Sequence, residues 1–320
     1  MFPLGLLAGA SLLEREWYES SLLPASKSLC DLSKTCLTSA HKMQAPVSCI
    51  PNSSKMSKVK KTIDEAKESA NTELDLVDRS ITSFEELPGL LNMVNITRLS
   101  ISHNKIAVVP PGLANLINLE ILNFSNNWIQ ELPVSLSSLP KLRILNVSIN
   151  RLNSLPRGFG AFPVLEILDL TYNNLNEKTL PGNFFMMETL RALYLGDNDF
   201  EYIPPGIGQL KNLQILSLRE NDLIELPSEI GELTRLRELH LQANRLTVLP
   251  PELGNLDLAS NKAMLRIEGN FWITPIDDQL KLGTSHVLDY IRSETYHKHS
   301  RATNNLTIFE NLLLHTTTVS

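Results

Sequence analysis

A chain of 320 residues, 42% of them apolar and 20% charged, is long enough to bury a substantial core and has the balance of an ordinary globular protein. The net charge of −6 argues against a nucleic-acid partner, because proteins that grip phosphate backbones present a basic face. No stretch of about 18 apolar residues occurs, so no helical membrane span is expected.

Residues 1–55 are serine-rich and show no sustained apolar period, which predicts a disordered extension. Phe2 to Leu13 is apolar, but no Lys or Arg precedes it and Glu14, Arg15 and Glu16 follow it, unlike a secretory leader. Cys30, Cys36 and Cys49 fall in this extension at spacings that match no zinc motif. Nothing from residue 50 onward can form a disulfide, which favours a reducing, cytoplasmic setting. Residues 56–72 (MSKVKKTIDEAKESANT) bring Val59, Ile63 and Ala66 to helical spacing and predict one amphipathic capping helix.

Residues 73–272 are dominated by internal repetition. Asn104, Asn127, Asn150, Asn173, Asn198, Asn221, Asn244 and Asn270 follow one another at spacings of 23, 23, 23, 25, 23, 23 and 26 residues. Each sits in one frame, L-x-x-L-x-L-x-x-N-x-L, as in Leu165, Leu168, Leu170, Asn173 and Leu175. An earlier unit with Leu74, Leu76 and Ile81 has Arg79 in place of the asparagine, as terminal units of an array often relax the pattern. The L-x-L core alternates with period two and predicts a short strand with one face inward. The asparagine amides are expected to stack as a ladder of backbone hydrogen bonds, since a buried amide that recurs needs partners that recur. Val109-Pro110, Leu132-Pro133, Leu155-Pro156, Ile203-Pro204, Leu226-Pro227 and Leu249-Pro250 mark the second half of the unit, where proline suits the first turn of a short helix. Between Leu175 and Leu190 the unit lengthens and NEKTLPGNFF replaces this step. Residues 273–296 predict a C-terminal helical cap, its helix running from about Thr284 to Tyr296, and residues 297–320 a disordered tail.

These features resemble the leucine-rich-repeat family, in its 23-residue intracellular class. Within that family residues 56–296 resemble the Ras-suppressor branch. The resemblance rests on MSKVKK from Met56, LNSLPRGFG from Leu152, LDLTYNNLNEKTLPGNFF from Leu168 and LRALYLGDNDFEYIPPGIG from Leu190. It continues through LQILSLRENDLIELPSEIGELTRL from Leu213, NRLTVLPPELGNLDL from Asn244 and HVLDYIRSETY from His286. It implies an α/β leucine-rich-repeat solenoid: a right-handed horseshoe of about nine repeats with a parallel inner sheet and short helical or extended outer segments. It also implies a monomeric, non-enzymatic adaptor at cell–matrix adhesions, without cofactor, whose partner is a LIM-domain adaptor of the PINCH type. The alternative is a regulatory scaffold for a phosphatase or a Ras-like GTPase. Residues 1–55 precede the family's start, and HKHSRATNNLTIFENLLLHTTTVS after Tyr296 departs from its lysine-rich tail, so tail-dependent interactions do not carry over.

The inner strands would carry the binding surface, on the x positions of the frame. Asp169, Tyr194, Ser217 and His240 fall in one lateral row, with Tyr172, Asp197, Arg219 and Glu220 one step across. Adjacent strands lie about 4.8 Å apart, so these side chains would form one patch, and Tyr and Arg are enriched at protein hot spots. Internal pairing of Arg219 with an acid is the competing reading. Trp128, just beyond Asn127, is an open second candidate. Nucleotide, hydrolase and zinc-protease motifs are absent. His103 and His240, six units and so roughly 29 Å apart, cannot share a metal. The sequons at Asn95, Asn123 and Asn146 follow from the repeat pattern and are not expected to carry glycans.

Overall fold

The computed structural model describes residues 53–298. The extension and tail expected at residues 1–55 and 297–320, with the cysteines, therefore lie almost wholly outside the described residues.

Nine short strands form one parallel sheet in strict sequence order: β1 (Glu73–Asp75), β2 (Arg98–Ser100), β3 (Ile121–Asn123), β4 (Ile144–Asn146), β5 (Ile167–Asp169), β6 (Ala192–Tyr194), β7 (Ile215–Ser217), β8 (Glu238–His240) and β9 (Met264–Arg266). The register is that of the repeat: Leu99 pairs with Leu122, Leu122 with Leu145 and Leu145 with Leu168. Each strand buries its central leucine and turns the flanking residues to the other face. Leu119, Leu122, Phe124, Ile129, Leu136, Leu139 and their equivalents fill a continuous core without solvent exposure. Full burial of one such side chain stabilises by about 1.5–3 kcal/mol, and only stacking gives every unit a neighbour to bury against.

The outer segments are 3-10 turns such as Pro111–Asn115, Pro205–Gln209 and Pro251–Asn255. The proline of the apolar-Pro step is not their first turn. Pro110, Pro133 and Pro227 are extended residues that precede it, near φ −70° and ψ 145°. Where a second proline follows, at Pro111, Pro205 and Pro251, that residue supplies the preset helical φ. The lengthened unit carries its own turn at Glu177–Thr179, closed by reciprocal bonds between Asn176 and Thr179. It also brings Phe184 and Phe185 into the core beside Phe159, whose ring stacks on Phe184 at 6.3 Å.

Both ends differ in detail from the periodicity. Helix α1 spans Ser53–Glu68 rather than 56–72, and buries Val59, Ile63 and Ala66 against the first unit. Just past it Ala70 turns in left-handed backbone at φ 50°, and the Thr72 carbonyl accepts the Thr97 and Arg98 N–H groups at the sheet edge. At the other end the helix expected from Thr284 to Tyr296 is α3 (Thr284–Arg292), and a further helix, α2 (Thr274–Leu282), precedes it across Gly283 with φ 133°. Pro275 sits in the first turn of α2, where its missing N–H costs nothing. Arg292 bonds the carbonyls of Gly254 and Leu256, and the buried Tyr296 hydroxyl bonds the backbone of Leu249, tying these helices to the last units.

Candidate functional site

The ladder asparagines hold the strand exits together. Asn150 donates to the carbonyls of Phe124, Val147 and Ser148 at 3.0–3.1 Å, and its Oδ1 accepts from Ile129 N–H at 3.0 Å. Asn173, Asn198, Asn221 and Asn244 repeat the pattern one unit at a time. Asn104 also accepts from Arg79 N–H, so the unit that lacks the asparagine is served by its neighbour's. Asn127 completes the run, and Asn270 ends it with the same contacts, only half-buried.

With the exits fixed, the sheet presents three rows on its open face. The middle row runs Asn146, Asp169, Tyr194, Ser217, His240, in register across β4 to β8. These members are not equally presented. Asp169 and Ser217 are buried, at 8% and 6% exposure, with Tyr194 between them in the row, while Tyr194 and His240 are half-exposed. Sequence position alone treats all of them as facing solvent. Asp169 accepts from Thr171 N–H at 2.9 Å, as Asn146 does from Ser148 N–H. Its carboxyl is raised above the ordinary value by burial, against the lowering effects of the Thr171 bonds and the Arg219 charge.

The next row holds Arg219 in line with Thr171 and Gly196; Tyr172, Asp197 and Glu220 stand one residue further along their units, not beside Arg219 in one row. Those three occupy left-handed backbone, with φ of 58°, 53° and 51°, as do His103, Asn126, Ile149 and Ala243 at the equivalent positions. The chain turns there as it leaves each strand, so these side chains stand along the exit edge. Tyr172 is 57% exposed. Arg219 lies over Gly196, where a β-carbon would meet its Cγ at 2.9 Å, and reaches Asp197 with 2.9 Å between Nη2 and Oδ2. No donor is directed in hydrogen-bond geometry at that buried oxygen. Burial raises the Asp197 carboxyl, Arg219 lowers it and Glu220 raises it, with a net rise. His240 faces Glu238 at 3.6 Å. Gln242 Oε1, beside Arg219 in its row, is buried without a partner.

The third row is apolar: Ile121, Ile144, Ile167, Ala192 and Ile215, in register across β3 to β7. Ile144, Ile167 and Ala192 are at most 5% exposed, packed flank to flank on the open face of the sheet. The sequence carries this row as isoleucine repeated at one position of successive units, a signal that the polar positions of the frame do not contain. The result is a buried apolar row beside a partly exposed polar one. Among the described residues no group of His, Cys, Asp and Glu is placed to hold a metal ion, and no helix is long and apolar enough to cross a membrane.

The ionisation of Asp169 is testable. A carboxyl whose folded value lies above its unfolded one costs stability when charged: the penalty is absent at low pH and complete above the folded value. Asp169→Asn keeps the acceptor for Thr171 and removes the charge. The variant is expected to be more stable than the parent at pH 7, with the gap closing as pH falls through the carboxylate range. A gap independent of pH in denaturant titrations would contradict this assignment.

Comparisons agree with the geometry. A model described as "Leucine-rich repeat region" matches residues 150–261, and one described as "Leucine rich repeat" matches residues 94–152. Ras suppressor protein 1 from Homo sapiens and from Mus musculus is 62% identical over 41 residues, 13% of this chain and 15% of each relative. The alignment thus spans a small part of those proteins. Among solved structures, the LRR ectodomain of the Arabidopsis thaliana receptor kinase GASSHO1/SCHENGEN3, in complex with CASPARIAN STRIP INTEGRITY FACTOR 2, is 30% identical with a TM-score of 0.53, covering 62% of this chain and 24% of that one. A TDR receptor at 24% identity and TM-score 0.55, covering 63% and 35%, shares the fold.

Proposed function

Because the chain is a leucine-rich-repeat protein, and one that resembles Ras suppressor protein 1 over a short stretch, we propose that it is a non-enzymatic adaptor whose open sheet face binds a folded protein. The observation that carries this reading is the juxtaposition of the isoleucine floor with Tyr194, Arg219 and His240 on consecutive strands. The buried floor keeps the strands at fixed spacing, and half-exposed Tyr194 supplies apolar contact area. The polar wall supplies direction, because Arg219 can fork onto a carboxylate or carbonyl. Buried Asp169 and Ser217 shape the wall from beneath, while Tyr172, Asp197 and Glu220 extend it along the exit edge.

The partner proposed from the resemblance is a LIM domain of PINCH type, in signalling at cell–matrix adhesions and dampening of Ras-dependent signals. Tyr194→Ala combined with Arg219→Ala is expected to weaken capture of that LIM module by about 2 kcal/mol or more, roughly thirtyfold, while leaving the thermal midpoint almost unchanged. Isothermal titration of the purified pair measures both affinity and stoichiometry. Undiminished affinity in the double variant removes the face from the account. Recovery of a phosphatase or a Ras-like GTPase in place of the LIM adaptor would favour the scaffold reading.

A further inference from the structure

Trp128 takes no part in the open sheet face. It follows Asn127 directly, as Lys105 follows Asn104 and Arg151 follows Asn150, so the three stand side by side on the edge where the chain leaves the strands. Trp128 N–H is fixed to the Ile106 carbonyl at 2.9 Å, yet its side chain is 43% exposed. Lys105 Nζ lies 5.9 Å from its ring centroid and Arg151 Cζ 5.1 Å, one cation from each neighbouring repeat. Among the described residues neither cation has a carboxylate partner.

The geometry points to a second docking surface here, on the exit edge of the second to fourth repeats, that takes an acidic segment of a partner protein. Its cations are held in place before binding by the ring between them, so less side-chain freedom remains to be lost when a carboxylate arrives. Trp and Arg are also the residue types that dominate binding hot spots. Charge along the edge supports one kind of guest: His103, Lys105 and Arg151 stand at the strand exits of the second and fourth repeats, with Asp78 in the preceding repeat and Glu131 beyond Trp128, whereas four acids, Asp197, Asp199, Glu220 and Asp222, follow two repeats on. A negative segment is drawn to the first stretch and repelled by the second. Beside Arg151, Ile149 is 46% exposed in left-handed backbone at φ 53°, a conformation that β-branched residues seldom adopt, which adds exposed apolar surface at this edge.

Nucleic acid fits less well. Base stacking needs an open aromatic face, and the cations crowd this one; a phosphate backbone needs a longer basic track than the edge offers before it turns acidic.

The test uses the full chain and a fluorescein-labelled deca-glutamate peptide at low ionic strength, read by fluorescence polarisation. Saturable, salt-sensitive binding is expected. Lys105→Glu with Arg151→Glu should abolish it and Trp128→Ala should weaken it roughly tenfold, while Tyr194→Ala with Arg219→Ala leaves it unchanged. That last comparison separates this surface from the concave face. The charge reversals keep the ring and all ladder asparagines, and circular dichroism verifies that the fold is intact. Failure of the peptide to bind, or binding indifferent to charge reversal, overturns the proposal. Tighter binding of a ten-nucleotide oligothymidylate with the same variant dependence assigns the edge to nucleic acid instead. Dimerisation lost on charge reversal, seen by sedimentation, assigns it to a second copy of the chain. Either result also overturns it.

Discussion

Asn150→Ala is expected to destabilise the protein by roughly 4 kcal/mol, a loss that the other fully buried ladder positions should share. The estimate follows from what the truncation strands. Ile129 N–H loses its acceptor, and the carbonyls of Phe124 and Val147 lose a donor, all in a region that water does not reach. A buried group left unsatisfied costs about 1–3 kcal/mol, and these strain the same turn, so their costs do not add fully. In a linear array the damage falls on the junction between the third and fourth repeats. Denaturant unfolding should show a lower midpoint and hydrogen exchange should open first at Ile129 and its neighbours. The same change at half-exposed Asn270 should cost distinctly less, since water can replace the lost amide there. Equal losses at both positions, or a loss below about 1 kcal/mol at Asn150, would show that the ladder is not what holds the strand exits.

Gly160→Ala should come close behind, at about 3 kcal/mol, the upper end of the usual range for overpacking. A β-carbon there would lie 1.8 Å from the Asn183 carbonyl oxygen and 2.6 Å from its carbon. Those are backbone atoms of the next repeat's outer turn, so no rotamer change relieves the clash; the two repeats must part. Two nearby glycines serve as internal comparisons. Gly158 has open space around it but φ of 80°, so alanine there should cost only the left-handed penalty of about 1–2 kcal/mol. Gly182 has open space and no positive φ, and alanine should be nearly neutral. Thermal midpoints falling in that order, with Gly160→Ala lowest, are the expected result. Gly160→Ala indistinguishable from Gly182→Ala would mean that the outer turns do not pack as closely as described.

Function-bearing features were legible to different depths. The lateral rows of the open face follow from counting, and Asp169, Tyr194, Ser217 and His240 do share one. Counting could not show that Asp169 and Ser217 are buried, or that Tyr172, Asp197 and Glu220 turn in left-handed backbone. The Arg219–Asp197 pair, one of two readings left open by the sequence, required Gly196 to leave room for the arginine stem. The isoleucine floor was visible as a column of letters, but its importance comes from lateral packing across five strands.

What the sequence determined by itself is everything that repeats. A translation of about 23 residues along the chain becomes a translation of one strand spacing in space, so strand order, register and the asparagine contacts are set by local periodicity alone. What only the tertiary structure decided is whatever breaks that translation: the accessibility of each inner residue, the ion pair across two repeats, the start of α2 at Pro275 and the cations gathered on Trp128. Those depend on the size and charge of the side chain one repeat away, and such neighbours are distant along the chain but about 5 Å apart in the stack.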